Sequence, residues 1–133
     1  MATLIDTSVL IAAERGRLDP AALQRERDDE EIAMAAITAS ELLHGVHRLR
    51  NAVARARAER FVEELLDLIP VLPFDLDVAR VHARLDAELS AAGTAVGDAD
   101  LMIAATAVAL DYRIATRDLR SFPRIKDLDV VRW

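Results

Sequence analysis

Short apolar runs alternate with helix-like segments along this chain, and that alternation limits its fold more than any other feature. Strand-like runs are predicted at residues 2–6, 32–37, 71–72, 113–116 and 130–133. Each of the first three is followed by a stretch with capping residues and apolar side chains at helical spacing. Strands that are joined through helices run parallel within one sheet. We therefore predict an α/β fold in which a central parallel β-sheet carries helices on both faces.

Capping residues and helix breakers place the helix boundaries. Asn, Asp, Ser and Thr favour helix starts, proline favours the first turn, and glycine favours the end. On the longest helix, Phe61, Leu65 and Leu68 recur at spacings of four and three and are the expected buried face. Three helices are predicted in the first part of the chain: from Val9, capped by Thr7 or Ser8, to about Arg15; from Pro20 to about Arg27; and from Thr38 or Ser40 onward. Three more follow: from Asn51 to about Leu68; from Asp75 or Asp77 to near Gly93; and from near Asp98 through Leu110.

Length and composition limit the classes of protein to which this chain can belong. The chain has 133 residues, enough for one globular domain, which we expect to span residues 1–133. It has no cysteine, so disulfides and thiolate metal sites are excluded. It shows no secretory leader, and its longest apolar run, residues 101–110, is too short to cross a bilayer. We therefore expect a soluble, cytoplasmic protein.

Four acidic residues stand where predicted strands end or helices begin: Asp6, Glu41, Asp100 and Asp118. In open parallel sheets, ligands bind beyond the carboxyl ends of the strands, and all four acids are expected at that edge. Two carboxylates about 4 Å apart repel by roughly 4 kcal/mol at an effective dielectric near 20, which is a large share of the stability of a domain. A cluster of four carboxylates therefore has to bind protons or a cation.

The donor chemistry of such a pocket favours a hard divalent cation. The donors are carboxylate oxygens, cysteine is absent, and only three histidines are present. Oxygen donors of this kind select Mg²⁺ or Mn²⁺ over zinc or copper. The net charge of −6 argues against a simple basic nucleic-acid binder. An acidic pocket that holds a divalent cation can still act on phosphates.

Each acid taken alone also has an ordinary structural explanation. Asp6 can cap a helix, Glu41 can favour a helix dipole, and Asp118 can be a turn residue. Of Asp98 and Asp100, one can be a helix cap and the other a ligand. A strand-end Asp also suggests an aspartyl-phosphate phosphatase, but the second Asp of that motif, two residues on, is replaced here by serine.

The histidines and arginines leave further alternatives open. Glu41 and His44 form a Glu-x-x-His pair, which binds iron in helical bundles, but the required second copy is absent from the sequence. His44, His47 and His82 are therefore expected to be structural or surface residues. Residues 48–60, here called the basic segment, can pair with neighbouring acids Glu59, Glu63 and Glu64 or can contact phosphate or an acidic partner. The absence of interleaved aromatic side chains slightly favours the ion-paired alternative. The arginines of this segment are Arg48, Arg50, Arg55, Arg57 and Arg60.

The four acids occur in ordered motifs that cover nearly the whole chain. The motifs are Ile5-Asp6-Thr7-Ser8-Val9-Leu10, Ser40-Glu41-Leu42-Leu43-His44-Gly45, Asp100-Leu101-Met102-Ile103-Ala104-Ala105-Thr106-Ala107, and Ala115-Thr116-Arg117-Asp118 with Phe122. Their order and spacing resemble the PIN-domain ribonucleases, and within them the VapC toxins of bacterial and archaeal toxin–antitoxin pairs. In that family an Asp stands three residues before Ile-Ala-Ala, and this favours Asp100 over Asp98 as the ligand.

The resemblance implies a PIN-like fold, endonucleolytic cleavage of RNA, and Mg²⁺ at the acidic pocket, with Mn²⁺ as a substitute. It also implies a homodimer that a small VapB-like antitoxin neutralises in a toxin–antitoxin hetero-oligomer. The residues expected to be catalytic and metal-binding are Asp6, Glu41, Asp100 and Asp118. The residues expected to support them are Ser8, Asp98 and Thr116.

The expected reaction is metal-assisted hydrolysis of a phosphodiester. Asp6 and Asp100 would hold the metal, Glu41 and Asp118 would bind it directly or through water, and one of the latter two would orient the attacking water. Arg117 or an arginine of the basic segment would hold the RNA backbone. Two alternatives are a catalytically weak PIN-like module that binds RNA or a partner, and a magnesium-dependent phosphatase.

Overall fold

The computed structural model describes residues 2–16, 19 and 30–133, and in these residues strands and helices alternate as predicted. The predicted helix at residues 20–27 lies outside the described residues. The strands are β1 (Ala2–Ile5), β2 (Glu31–Ala35), β3 (Val71–Leu72), β4 (Arg113–Thr116) and β5 (Val130–Arg132). The helices are α1 (Thr7–Glu14), α2 (Ala36–His47), α3 (Ala52–Leu68), α4 (Leu76–Ala91) and α5 (Asp98–Leu110), followed by a 3-10 turn at Phe122–Arg124.

The five strands form one parallel sheet in the order β3-β2-β1-β4-β5. β1 is central: Leu4 pairs with Ala33 of β2 on one side and with Ile114 of β4 on the other. The chain first builds outward from β1 through β2 to β3, and then returns to the opposite side of β1. This reversal creates a crevice beyond the carboxyl ends of β1 and β4, the place where open parallel sheets bind ligands.

Helices cover both faces of the sheet, which confirms the predicted fold class. On one face Leu4 and Ile114 pack into an apolar cluster with α4 and α5. On the other face Ile5 and Met34 pack with α1, α2 and α3. Neighbouring residues Leu4 and Ile5 point to opposite faces because side chains alternate along a strand. Both are fully buried, as expected of a sheet that is covered on two sides.

Helix α5 packs against the sheet through fully buried residues, and it positions one of the four acids. Ile103, Ala104, Ala105 and Ala107 are fully buried, and the small size of the three alanines allows the helix to approach the sheet closely. No helix in the described part of the chain is long and apolar enough to cross a membrane.

Two helix starts differ from the sequence prediction. Helix α2 begins at Ala36, before Thr38 or Ser40, and its N-cap Ala35 makes no side-chain capping bond. The sequence prediction places the apolar Ala36 and Ile37 in the strand, because apolar side chains alone do not mark where a buried strand ends and a buried helix begins. The cap of α1 is Asp6, rather than Thr7 or Ser8, and its side chain accepts from the Ser8 N–H, which confirms the capping role that the sequence also allowed for Asp6.

The buried face of α3 also differs from the prediction at one residue. Leu65 is buried and Phe61 is partly buried, as expected, but Leu68 is 45% exposed. The helix ends at Leu68, and the extended Ile69 takes the buried position beside the core instead. The buried stripe of the helix therefore runs through Ala58, Val62 and Leu65.

Candidate active site

Asp6 is a buried carboxylate fixed at the carboxyl end of the central strand. Its backbone N–H donates to the Ala115 carbonyl of β4 at 2.9 Å, so the ladder between β1 and β4 continues to this residue. Its Oδ2 atom accepts hydrogen bonds from the Ser8 hydroxyl at 2.6 Å and the Thr116 hydroxyl at 2.9 Å. Asp6 is only 4% exposed. These contacts orient the carboxylate. Among the described residues, all hydrogen bonds to its side chain are accepted by Oδ2.

Two backbone N–H groups orient the hydroxyls that bind Asp6. The Ser8 hydroxyl accepts from the Arg117 N–H at 3.0 Å, and the Thr116 hydroxyl accepts from the Asp118 N–H at 3.0 Å. Since each hydroxyl has a single proton, a lone pair that accepts an N–H leaves that proton free for the carboxylate. The turn after β4 therefore holds Asp6 through a two-layer hydrogen-bond network.

Asp100 lies in the first turn of α5 and is partly buried. Burial raises the pKa of Asp100, the Ser121 side chain lowers it through a hydrogen bond, and the charges of Asp6 and Asp118 raise it further. The guanidinium of Arg120 opposes this rise. Asp6 and Asp118 thus lie close enough to Asp100 for their charges to act on its carboxyl group.

Asp118 is held in an ion pair that the sequence analysis did not anticipate. Arg120 donates from Nε to Oδ1 at 3.0 Å and from Nη2 to Oδ2 at 3.1 Å, and its backbone N–H also donates to Oδ1. This bidentate contact holds the pKa of Asp118 below its ordinary value. Arg120 is 87% exposed, so the guanidinium can leave without disturbing the core.

Arg120 and Ser121 are the site residues that sequence reasoning missed. Both follow Asp118 directly, in the run Asp118-Leu119-Arg120-Ser121. An Asp and an Arg two residues apart in a turn indicate a local ion pair, and this was the available signal. The contact of Ser121 with Asp100 on α5 had no signal in the sequence, because it depends on how the turn packs against the helix.

Glu41 and Asp98 lie at the margins of this cluster. Glu41 is exposed on α2 and accepts from the Thr7 hydroxyl at 2.8 Å, so it is linked to the residue that follows Asp6. Asp98 is exposed as the first residue of α5, and Gly97 is the N-cap. Of the two roles that the sequence left open for Asp98, the helix cap is therefore wrong, because the extended backbone of Gly97 occupies the cap position, and the supporting role stays a prediction.

The side chains of the site have the oxygen donors that a divalent cation prefers, but they do not supply a complete set of ligands for it. Asp6 and Asp100 supply hard oxygen donors, and burial, with a smaller contribution from the charges of Asp6 and Asp118, raises the pKa of Asp100. Among the described residues, no three acidic or histidine side chains are close enough together to hold one ion. Mg²⁺ commonly binds one or two carboxylates and keeps several waters, so a pair of acids suffices. The four-carboxylate set stays a prediction.

Comparison with known proteins gives a consistent result. Residues 3–128 match the PIN domain family model. "Ribonuclease VapC" of Rickettsia bellii is 33% identical over 131 residues, covering 98% of this chain and 96% of that protein. The "tRNA(fMet)-specific endonuclease VapC" of Salmonella typhimurium is 27% identical over 130 residues, with coverage of 98% and 96%.

A solved structure extends this similarity to three dimensions. VapBC-5 from Mycobacterium tuberculosis, a member of the VapBC family of toxin-antitoxin systems, superposes with a TM-score of 0.79 at 32% identity, covering 99% of this chain and 98% of that chain. Fold and sequence identity agree over nearly the whole length. The chain therefore belongs to the PIN-domain family and, within it, to the group of VapC proteins.

Proposed function

We propose that this protein is a magnesium-dependent endoribonuclease and the toxin of a type II toxin–antitoxin system. It hydrolyses RNA phosphodiester bonds at the site formed by Asp6, Glu41, Asp100 and Asp118. The observation that carries the proposal is the immobilised Asp6 carboxylate beside Asp100, whose pKa is raised by burial and by the charges of Asp6 and Asp118. The names of the VapC relatives support RNA as the substrate.

Asp6 and Asp100 are the residues that would hold the metal. When bound there, Mg²⁺ or its substitute Mn²⁺ would activate water and neutralise the charge that develops on the phosphate. Asp6 presents a fixed carboxylate because Ser8 and Thr116 restrain it. Asp100 has a raised pKa in the absence of a cation, so a nearby positive charge favours its ionised form.

Asp118 and Glu41 are proposed to act on the attacking water. Asp118 becomes available for this role once Arg120, which is exposed, releases its two carboxylate oxygens. Glu41 is exposed and is held in place by Thr7, next to Asp6. Arg117 follows Thr116 at the same edge of the sheet, and its exposed position allows a contact with the RNA backbone.

The partners proposed for this protein are a VapB-like antitoxin and a second copy of the chain. Support comes from the solved VapBC toxin–antitoxin structure that this chain resembles in fold and sequence. We propose that the toxin is a homodimer, that the antitoxin joins it in a hetero-oligomer, and that the protein acts on RNA in the cytoplasm. Size-exclusion chromatography with light scattering, on the toxin alone and co-expressed with the product of an adjacent short reading frame, tests both assemblies.

The activity is tested by RNA cleavage with matched acidic variants. Asp6→Asn and Asp100→Asn are each expected to reduce Mg²⁺-dependent cleavage by at least about a hundredfold, the scale found when one charge-stabilising group is lost from an active site. Asp86→Asn is the control, because Asp86 is an exposed acid on α4 and is not one of the proposed site residues. It should cleave at nearly the wild-type rate. Titration calorimetry should show weaker Mn²⁺ binding for Asp6→Asn and Asp100→Asn, and wild-type Mn²⁺ binding for the control.

Three outcomes would refute the proposal. Equal activity of wild type and folded Asp100→Asn would remove Asp100 from the site. RNA binding without any Mg²⁺-dependent cleavage, together with a melting temperature that Mg²⁺ does not shift, would favour a binding module. Release of inorganic phosphate from small esters, with RNA left intact, would favour a phosphatase.

A further inference from the structure

The basic segment is a concentration of positive charge in a chain whose net charge is −6. Between Glu41 and Glu59, a stretch that contains the basic segment up to Ala58 and the six residues before it, the sequence has four arginines, two histidines and no acidic residue. In the structure, this stretch covers the carboxyl-terminal half of α2, the link to α3, and the first turns of α3. All of its charged side chains are exposed. This surface therefore differs in sign from the protein as a whole.

The positive charge of this segment is not neutralised within the chain. The sequence slightly favoured ion pairs with Glu59, Glu63 and Glu64, and that expectation is wrong: in the part of the chain that the structure describes, none of the arginines between 48 and 60 forms an ion pair. Elsewhere the same chain does pair its exposed arginines, as Arg84 with Glu88 at 3.2 Å. Uncompensated arginines on a surface are available to an anionic ligand.

The amino-terminal end of the basic segment lies on the same cavity as a proposed site residue. Arg48 and His44 line a cavity of about 570 Å³ between α1 and α2. Glu41 and Thr7 line the same cavity, and Thr7 directly follows Asp6. The cavity thus joins Arg48 to Glu41, one of the four proposed site residues.

We propose that the basic segment binds the sugar–phosphate backbone of single-stranded RNA adjacent to the cleavage site. The inference depends on the proposed function and specifies how its substrate is held. Arginine side chains suit phosphate because their guanidinium fork donates two parallel hydrogen bonds. No aromatic residue lies between Glu41 and Glu59 to stack a base. The segment therefore contributes affinity and direction of the strand, and leaves the choice of bases to other residues.

The salt dependence of RNA binding measures these contacts directly. The probe is a fluorescein-labelled single-stranded oligouridylate in EDTA, which prevents cleavage, followed by fluorescence anisotropy. The double variants are Arg48→Gln with Arg50→Gln, and Arg55→Gln with Arg57→Gln. The control is Arg80→Gln with Arg84→Gln on α4, which removes the same charge from exposed positions outside the segment.

Each phosphate contact on a single strand contributes about 0.7 to the slope of log affinity against log salt concentration. Loss of two contacts should therefore lower the steepness of that slope by about 1.4. Between about 50 and 200 mM salt, the affinity of the wild type should fall about sevenfold more than that of either segment variant. The control should keep the wild-type slope. In Mg²⁺, the segment variants should raise KM for RNA cleavage and leave kcat unchanged.

The outcomes separate this inference from the proposed function. If wild type cleaves RNA but the segment variants keep the wild-type slope and KM, the inference fails and the ribonuclease proposal stands. If the control variant lowers the slope as much as the segment variants do, the slope reports the total charge of the protein rather than contacts of the basic segment, and the inference also fails. Displacement of RNA by oligoglutamate of equal charge, at equal concentration, would assign the segment to an acidic protein partner instead. If wild type neither binds nor cleaves RNA, both proposals fall.

Discussion

Replacement of Thr116 by valine is the sharpest test of how the site is held together. Thr116 is fully buried, its hydroxyl donates to Asp6 Oδ2 at 2.9 Å, and it accepts from the Asp118 N–H at 3.0 Å. Thr116→Val keeps the shape of the side chain and removes both bonds. A hydrogen bond to a charged acceptor contributes about 1.5–3 kcal/mol, and an N–H left unpaired adds to the loss. We expect the free energy of unfolding to fall by about 3 kcal/mol.

Thermal unfolding gives the measurement. With an unfolding entropy of about 2.1 cal/mol/K per residue over 133 residues, that loss corresponds to a fall in Tm of about 10 °C. Thr106→Val is the matched control, because Thr106 is equally buried but its hydroxyl donates only to the Met102 carbonyl of its own helix at 2.9 Å. The control should change stability by less than about 1 kcal/mol. Equal Tm values for Thr116→Val and Thr106→Val would refute the network described around Asp6.

Two further substitutions test the electrostatics of the site. Since the folded-state pKa of Asp100 is raised above 3.8, its ionised form destabilises the fold at neutral pH. Asp100→Asn should therefore increase the free energy of unfolding at neutral pH, measured by urea titration without metal. This gain in stability should vanish as the pH falls below about 3.8, where the carboxyl is protonated in both the folded and the unfolded state. A gain that persists at low pH would assign the effect to packing. Because Arg120 lowers the pKa of Asp118, Arg120→Gln should raise that pKa in a carboxyl NMR titration, and an unchanged titration would show that the ion pair does not form in solution. The stability that the pair contributes is present above the unfolded pKa of Asp118, is lost as the pH falls through its lowered folded pKa, and should weaken with salt.

The sequence predicted the sheet and its helices well because each element carried a strong local signal. Arg113–Thr116 is bounded by a helix end and a turn, and the strand there was predicted at its observed limits. Ala36 and Ile37 lacked such a boundary, since an apolar residue suits the end of a buried strand and the start of a buried helix equally. Leu68 followed the helical spacing of its neighbours but lies where the helix ends, so the core has no room to receive it.

The sequence pointed to the acids of the candidate site and not to their contacts. Asp6 and Asp118 stood out because they follow strands whose carboxyl ends meet at one edge, and Asp100 because it begins a strongly apolar helix; their joint role in one site stays a prediction. The pairing of Asp118 with Arg120 and the contact of Ser121 with Asp100 depend on the path of a turn, which the sequence leaves open. The ion pairs expected within the basic segment are absent from the described residues, and exposed pairs of long side chains gain little free energy against their loss of rotamer freedom.

The hydrogen bond between Thr116 and Asp6 joins residues that are 110 positions apart, and this separation has a consequence for protein synthesis. The central strand β1 is made first, whereas its neighbour β4 is made near the end of translation. A nascent chain therefore carries Asp6 for most of its synthesis without the strand that orients it. Contacts between such distant residues form late, because a long loop must close before they contribute. The order in which the ribosome produces the strands thus delays assembly of the site until the chain is almost complete.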